Sequence, residues 1–212
     1  MTPSKFRLRY IFRPLVNLLA KRLSKLGVTP NLATVMMLLF AIFSFISLVF
    51  LQNLLYFGIL VFITGIMDGC DGAIARITNK TTAFGGFFDS VMDRISEFII
   101  FLALLIFTWD QLLWDLIDMK LLIFFTFLGS LMISYIRARA ENFFKGKSKK
   151  GNFDIGLMAR SERLFFLFIS SVVAFIFNAF FNELVFLFMC LVIGTALFRF
   201  LRISKQIKNL EL

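Results

Sequence analysis

Histidine is absent from this 212-residue chain. That excludes the commonest general base and the commonest metal ligand, so any chemistry must run on carboxylates, hydroxyls, lysine or arginine. Cysteine is scarce. Cys70 and Cys190 are the two present, each inside an apolar stretch, and they are read as reduced and structural rather than as a disulfide framework. No internal repeat is visible. No continuous apolar core followed by a small-residue cleavage site opens the chain, which argues against a cleavable signal peptide. What is abundant is apolar surface: 59% of residues are hydrophobic, 31 are phenylalanine, and the mean hydropathy is +0.87. A soluble domain cannot hide so much phenylalanine, so a lipid environment is the natural reading. The formal net charge of +10 does not point to nucleic acid, because the basic residues flank apolar runs. A membrane surface explains them better.

Crossing the hydrocarbon core takes roughly 20 apolar residues in helix. Six stretches qualify, near 31–52, 54–76, 85–109, 119–140, 163–182 and 184–203. Residues 3–26 differ: Phe6, Tyr10, Ile11, Leu15, Leu18 and Leu19 alternate with Lys5, Arg7, Arg9, Arg13, Lys21 and Arg22. That pattern predicts an amphipathic helix lying on the membrane surface. The expected fold class is therefore all-α integral membrane, a single domain over 1–212, with a juxtamembrane segment at 1–28 and a six-helix core at 29–204. Nearly all lysine and arginine lies in the N-terminal segment, the 77–84 turn, the 141–162 loop and the 204–212 tail. The opposite loops carry Asp110, Asp115, Asp118 and Glu183, with Lys120 as their one basic residue. The positive-inside rule then predicts a multi-pass protein of the cell membrane with both termini in the cytoplasm. The polar 141–162 loop is the one long enough to suggest flexibility.

Most spans are free of charge, and the second and third stand out against them. The second ends on Asp68, Asp71, Gly72, Ala75 and Arg76, which share a helical arc of about 140°. The third opens with Gly85, Asp89 and Asp93 stacked on one face. The short 77–84 connection predicts antiparallel neighbours, whose four carboxylates converge near the cytoplasmic boundary. An ionised aspartate at mid-membrane costs roughly 2.5–3.5 kcal/mol on insertion scales, and less near the interface. Two divalent cations neutralise four carboxylates, and all-oxygen ligands favour a hard ion such as Mg²⁺, Mn²⁺ or Ca²⁺. Paired ions suit phosphoryl displacement. Gly72 and Gly85 leave bare helix surface for a pyrophosphate, and Arg76 is placed to meet phosphate charge. A plainer role for Gly65, Gly69 and Gly72 is a small-residue packing seam.

The pattern Asp68-xx-Asp71-Gly72-xx-Ala75-Arg76-x8-Gly85-xxx-Asp89-xxx-Asp93 resembles the signature of the CDP-alcohol phosphotransferase family. The resemblance implies six membrane helices with a cytoplasmic juxtamembrane helix, two metal ions (Mg²⁺ or Mn²⁺) per protomer and a homodimer. It also implies release of CMP as an acceptor hydroxyl attacks the lipid-bearing phosphorus of a CDP-linked lipid. Carried over residue by residue, Asp68, Asp71, Asp89 and Asp93 would hold the metals, and Asp93 would also be the general base. Gly72, Ala75, Arg76 and Gly85 would hold the CDP moiety. Thr29-Pro30-Asn31-xx-Thr34 resembles the family's cytidine-contacting segment, so Pro30, Asn31 and Thr34 join that list. The same residues also read as a helix start with proline at its entry.

Ser134-Tyr135-Ile136-Arg137-Ala138-Arg139-Ala140-Glu141 and Gly156-Leu-Met-Ala-Arg160-Ser-Glu162-Arg163 are similar to segments of phosphatidylinositol phosphate and archaetidylinositol phosphate synthases. Thr195-Ala-Leu-Phe-Arg199 resembles their T-V-x-Q-R ending, with Phe198 for the usual Gln and Ala196 for Val; Arg137 stands where lysine is common. Arg137, Arg163 and Arg199 fall at the cytoplasmic ends of three spans, and with Arg160 they would make an anion pocket. Such a pocket suits a phosphorylated alcohol, inositol 1-phosphate before glycerol 3-phosphate. The same arginines also fit as positive-inside anchors, as do Lys145, Lys147, Lys149 and Lys150. From another class, a divalent-metal transporter would use intramembrane carboxylates, but with inverted repeats and broken helices at the midplane. A non-catalytic lipid-binding or scaffold protein leaves the aspartate spacing without a reason.

Overall fold

A computed structural model describes residues 8–144, 153 and 155–211. Residues 3–7 of the expected surface helix, together with Lys145, Lys147, Lys149 and Lys150, lie outside them. Apolar runs without proline become helices almost throughout. They are α1 (Leu8–Ile11), α2 (Arg13–Lys25), α3 (Pro30–Val49), α4 (Leu54–Ile77), α5 (Ala83–Phe107), α6 (Met119–Phe144), α7 (Arg160–Phe177) and α8 (Phe181–Glu211). Four of these, α3, α4, α6 and α8, are long and apolar enough to cross a membrane. The other two long helices carry more charge. Asp89, Asp93, Arg94 and Glu97 fall within the first fifteen residues of α5, and Arg160, Glu162 and Arg163 open α7.

Local chemistry sets the helix ends. Thr29, Asn53 and Thr82 cap α3, α4 and α5, each accepting a hydrogen bond from the backbone three residues on. The start of the Thr29-Pro30 segment is thus a helix entry, with proline in the first turn. α7 stops at Phe177, five residues short of the expected 182, because Asn178 turns left-handed with φ 48°. Asn tolerates that region, and no glycine or proline announced it. Between α5 and α6, Leu112–Leu113 and Ile117–Asp118 pair as a two-residue antiparallel ribbon.

Packing differs from the expectation for α4 and α5. Their short connection predicted direct neighbours, yet both helices pack chiefly on α3. Ala33, Thr34, Met37, Ala41, Ser44, Ser47 and Leu48 form the buried stripe of α3, and the small ones, Ala33, Thr34, Ala41, Ser44 and Ser47, let it approach both helices closely. α4 also takes α7 and α2 as neighbours, while α6 packs on α8. The glycines of α4 serve those contacts. A Cβ on Gly58 would lie 2.8 Å from Ser171 Cβ, one on Gly65 would lie 3.4 Å from Leu164, and one on Gly69 would lie 3.2 Å from Val16. Gly65 and Gly69 are therefore packing positions.

The end of the 141–162 loop is tied down where it is described. Phe153 is buried, with its ring 4.8 Å from that of Phe144, and Met158 belongs to the main core. Gly156 takes φ +111° against Thr195, where a Cβ would meet the threonine methyl at 2.5 Å. Two of the motifs singled out in the sequence meet at that contact.

Candidate active site

The C-terminal parts of α4 and α6, the starts of α5 and α7, the middle of α8 and the α1–α2 segment meet on one side of the bundle. They enclose a cavity of about 880 Å³, a volume suited to a cofactor-sized ligand. Its wall holds Asp68, Asp71, Gly72, Arg76, Asp89 and Asp93, together with Arg137, Arg160, Arg163 and Arg199. Aspartates and arginines separated by up to 131 residues in the chain, from Asp68 to Arg199, thus share one chamber.

Carboxylate oxygens of Asp68, Asp89 and Asp93 lie within 4.8 Å of one another. Asp71 stands beside them, 5% exposed; its Oδ2 accepts from Thr34 Oγ1 at 2.9 Å, and its Oδ1 accepts from the Gly72 amide. One oxygen of Asp89, Oδ1, is buried and accepts no hydrogen bond. Buried carboxylate oxygens are rarely left so. An all-oxygen cluster with an open acceptor fits a hard divalent cation.

The arginines divide into two kinds. Arg160, at the first turn of α7, reaches into the aspartates. Its Nη1 donates to both Asp68 Oδ1 and Asp93 Oδ1, and its Nη2 donates to Ser96 Oγ at 2.8 Å. On the other side, Arg94 Nη1 donates to Asp93 Oδ2 at 3.1 Å, so each oxygen of Asp93 faces a guanidinium. Arg137 is the more open one: its side chain is 43% exposed and pairs with Glu141 at 2.8 Å. Arg163 and Arg199 are 1% and 2% exposed. Arg199 donates to the carbonyls of Ile155 and Ile133, both at 2.8 Å. Arg163 is bound bidentately to Glu97, through Nε at 2.8 Å and Nη2 at 3.1 Å, and its Nη1 donates to the Met158 carbonyl. All three of its nitrogens are engaged within the protein, unlike an arginine offered to an incoming anion.

Among the expected CDP contacts, Gly72 and Arg76 lie on the wall, and a Cβ on Gly72 would meet Arg76 Nη1 at 3.3 Å. Pro30, Asn31, Thr34, Ala75 and Gly85 are not among its lining residues. Thr34 is buried behind Asp71, and Asn31 Oδ1 sits 3.4 Å from where a Cβ on Gly85 would be. Sequence reasoning missed Glu97, Arg94, Ser96 and Ser130. The signal for Glu97 was present, since it continues the four-residue step of Asp89 and Asp93 down one helix face.

Comparison with known proteins gives the family. Residues 27–197 match the family model for CDP-alcohol phosphatidyltransferase. The chain is 35% identical over 154 residues to an archaetidylinositol phosphate synthase of Pyrococcus horikoshii, covering 73% of this chain and 74% of that one. It is 30% identical over 156 residues to a phosphatidylinositol phosphate synthase of Mycobacteroides abscessus, covering 74% and 67%. The crystal structure of Mycobacterium tuberculosis phosphatidylinositol phosphate synthase with CDP-DAG bound superimposes with a TM-score of 0.73 at 25% identity, over 90% of this chain and 94% of that one. The signature aspartates fall inside the matched span, its helices close the chamber, and four of them are membrane-length: this chain is a multi-pass membrane enzyme of the CDP-alcohol phosphatidyltransferase family.

Proposed function

We propose that this enzyme transfers a phosphatidyl-type group from a CDP-linked lipid, CDP-diacylglycerol or CDP-archaeol, to the hydroxyl of a phosphorylated alcohol, releasing CMP. Inositol 1-phosphate is the acceptor best supported, because the synthases that this chain resembles are named for that chemistry. The observation that carries the reading is the meeting of acidic and basic clusters on one cavity wall. Carboxylates alone would serve a metal carrier. Guanidiniums beside them add recognition of phosphate, which a divalent-metal transporter does not need. Glycerol 3-phosphate, also an alcohol phosphate, is the second acceptor to test.

In this reading Asp68, Asp71, Asp89 and Asp93 hold two divalent ions per protomer, Mg²⁺ or Mn²⁺, which when bound offset the negative charge of the aspartates and the pyrophosphate. Arg76 and Gly72 face the CDP pyrophosphate; Ala75, Gly85, Pro30 and Asn31 shape the nucleotide end, and Thr34 orients Asp71 from behind. Arg137 and Arg160 receive the acceptor's phosphate, with Arg199 and Arg163 supporting them through the Ile155–Ala159 segment and Glu97. The acceptor oxygen forms a bond to the lipid-bearing phosphorus, the bond from that phosphorus to CMP breaks, and the hydroxyl proton passes to Asp93. Each Asp93 oxygen faces one guanidinium and keeps a second lone pair for the incoming proton.

The membrane arrangement that we propose has α3 to α8 as six spans, α2 on the cytoplasmic surface, both termini and the active site cytoplasmic, and two copies as a homodimer within one membrane domain over 1–212. The exposed Ile11, Leu15 and Leu18 of α1 and α2 support a surface helix. The test is CMP release by purified protein given CDP-lipid and a panel of alcohols and alcohol phosphates, with and without chelator. Release dependent on inositol 1-phosphate, lost in chelator and restored by Mg²⁺ or Mn²⁺, is expected. Release with every acceptor alike, or full activity in excess chelator, refutes the reading.

A further inference from the structure

α5 carries acidic residues one turn apart, Asp93 and Glu97, and α7 carries arginines one turn apart, Arg160 and Arg163. The two rows pair in register: Arg160 with Asp93 and Arg163 with Glu97. The first pair belongs to the reacting end of the cavity. The second is sealed, with both residues 1% exposed. Glu97 Oε1 accepts from Arg163 Nε at 2.8 Å and from Ser130 Oγ of α6 at 2.5 Å, and Oε2 accepts from Arg163 Nη2 at 3.1 Å. Arg163 Nη1 donates to the Met158 carbonyl at 3.0 Å, just before α7 begins.

We propose that Glu97, locked to Arg163 and Ser130, is a positioning residue of the reaction that sets the register of α7 against α5 and so delivers the Arg160 guanidinium to Asp68 and Asp93. A buried ion pair is a poor source of stability, since desolvation offsets most of the Coulombic gain and a well-packed apolar pair often serves as well. Its best-attested use is to fix one register among several. That need is real here. α5 and α7 bring few backbone positions close together, so long side chains span the gap, and an α7 displaced by one turn would carry Arg160 along its axis by about 5.4 Å. Ser96, between Asp93 and Glu97, completes the seat by accepting from Arg160 Nη2.

The inference rests on the proposed reaction for its kinetic arm but not for its metal-binding arm. The test compares wild type with the double variant Glu97→Leu/Arg163→Met, which removes both charges together and leaves no buried ion unpaired. Two quantities are measured in the same detergent: Mn²⁺ affinity of substrate-free protein by electron paramagnetic resonance, and kcat/KM for the phosphorylated acceptor at saturating CDP-lipid. With Arg160 no longer held between Asp68 and Asp93, a competing cation leaves the aspartates. Mn²⁺ should then bind at least 5-fold more tightly, while acceptor kcat/KM falls at least 30-fold and CDP-lipid affinity stays within 3-fold. A purely structural pair predicts wild-type values for both, and either one unchanged overturns the proposal. If the double variant fails to purify folded, Glu97→Gln, which keeps the shape but turns one of the two accepting oxygens into a donor, is measured against the same two criteria. Absence of acceptor-dependent CMP release in wild type would instead remove the proposed reaction and leave the Mn²⁺ arm standing.

Discussion

Thr34→Val separates two roles for one hydroxyl. As part of the Thr29–Thr34 segment, Thr34 resembles a nucleotide contact; in the structure it is 2% exposed and donates to Asp71 Oδ2 at 2.9 Å. Valine keeps the shape of the side chain and removes the donor, so packing against α4 should survive. A hydrogen bond to a charged group contributes about 1.5–3 kcal/mol, and loss of a partner that orients a metal ligand costs roughly 10–100-fold in metal affinity. We expect the Mg²⁺ concentration for half-maximal CMP release to rise by about 10–100-fold, with the CDP-lipid KM nearly unchanged at saturating metal. Thr34→Ser restores the donor and should recover most of the metal response. The assay is CMP release titrated with Mg²⁺ at fixed substrates, then with CDP-lipid at saturating Mg²⁺. An unchanged metal midpoint with a raised CDP-lipid KM would refute this and return Thr34 to the nucleotide.

Asp93→Asn keeps an oxygen ligand but cannot take the hydroxyl proton. Turnover should fall by ~10²–10⁴ while CDP-lipid binding persists, whereas Asp68→Asn should weaken metal binding too; near-normal single-turnover rates in Asp93→Asn would remove the base assignment. Arg137→Met deletes a half-exposed guanidinium of the cavity, and the acceptor KM should rise about 10- to 150-fold, the equivalent of one charge-assisted contact. Equal changes in both substrates' KM would make Arg137 an anchor. Gly58→Ala forces a Cβ to 2.8 Å from Ser171 Cβ and 3.2 Å from the Phe168 carbonyl, so the α4–α7 seam must open at a cost of about 1–3 kcal/mol. Thermal unfolding in detergent should show it as a lowered midpoint, and an unchanged midpoint would mean that the seam is slack.

The aspartate constellation could be read in one dimension. Four carboxylates in apolar runs are costly wherever they sit, and a step of three or four residues places them on a shared face whatever the neighbours are. Helix positions were legible for the same local reason, with ends that moved by a few residues where capping intervened, as at Asn178. The relation of α4 to α5 was not legible. A short loop forces two helices to be near at one end, but side-chain size along α3 decides that both lean on it. The expected flexibility of the 141–162 loop does not hold for its last residues, where Phe153, Gly156 and Met158 find partners on α6 and α8 and in the core. Those partners lie too far along the chain for periodicity to reveal them.

Arginine roles mark the same boundary. Sequence position alone predicts Arg137, Arg163 and Arg199 at span ends on one side of the membrane, because span length and the one-sided distribution of charge are counted along the chain. Which carboxylate Arg160 and Arg163 meet was decided by how α7 lies against α4 and α5, and which carbonyls Arg199 meets by how α8 lies against α6 and the segment before α7. Arg160 and Arg163 are three residues apart, yet one enters the aspartate cluster and the other is sealed against Glu97. An ion pair depends on the distance between atoms in space, and only the packed helices set that distance.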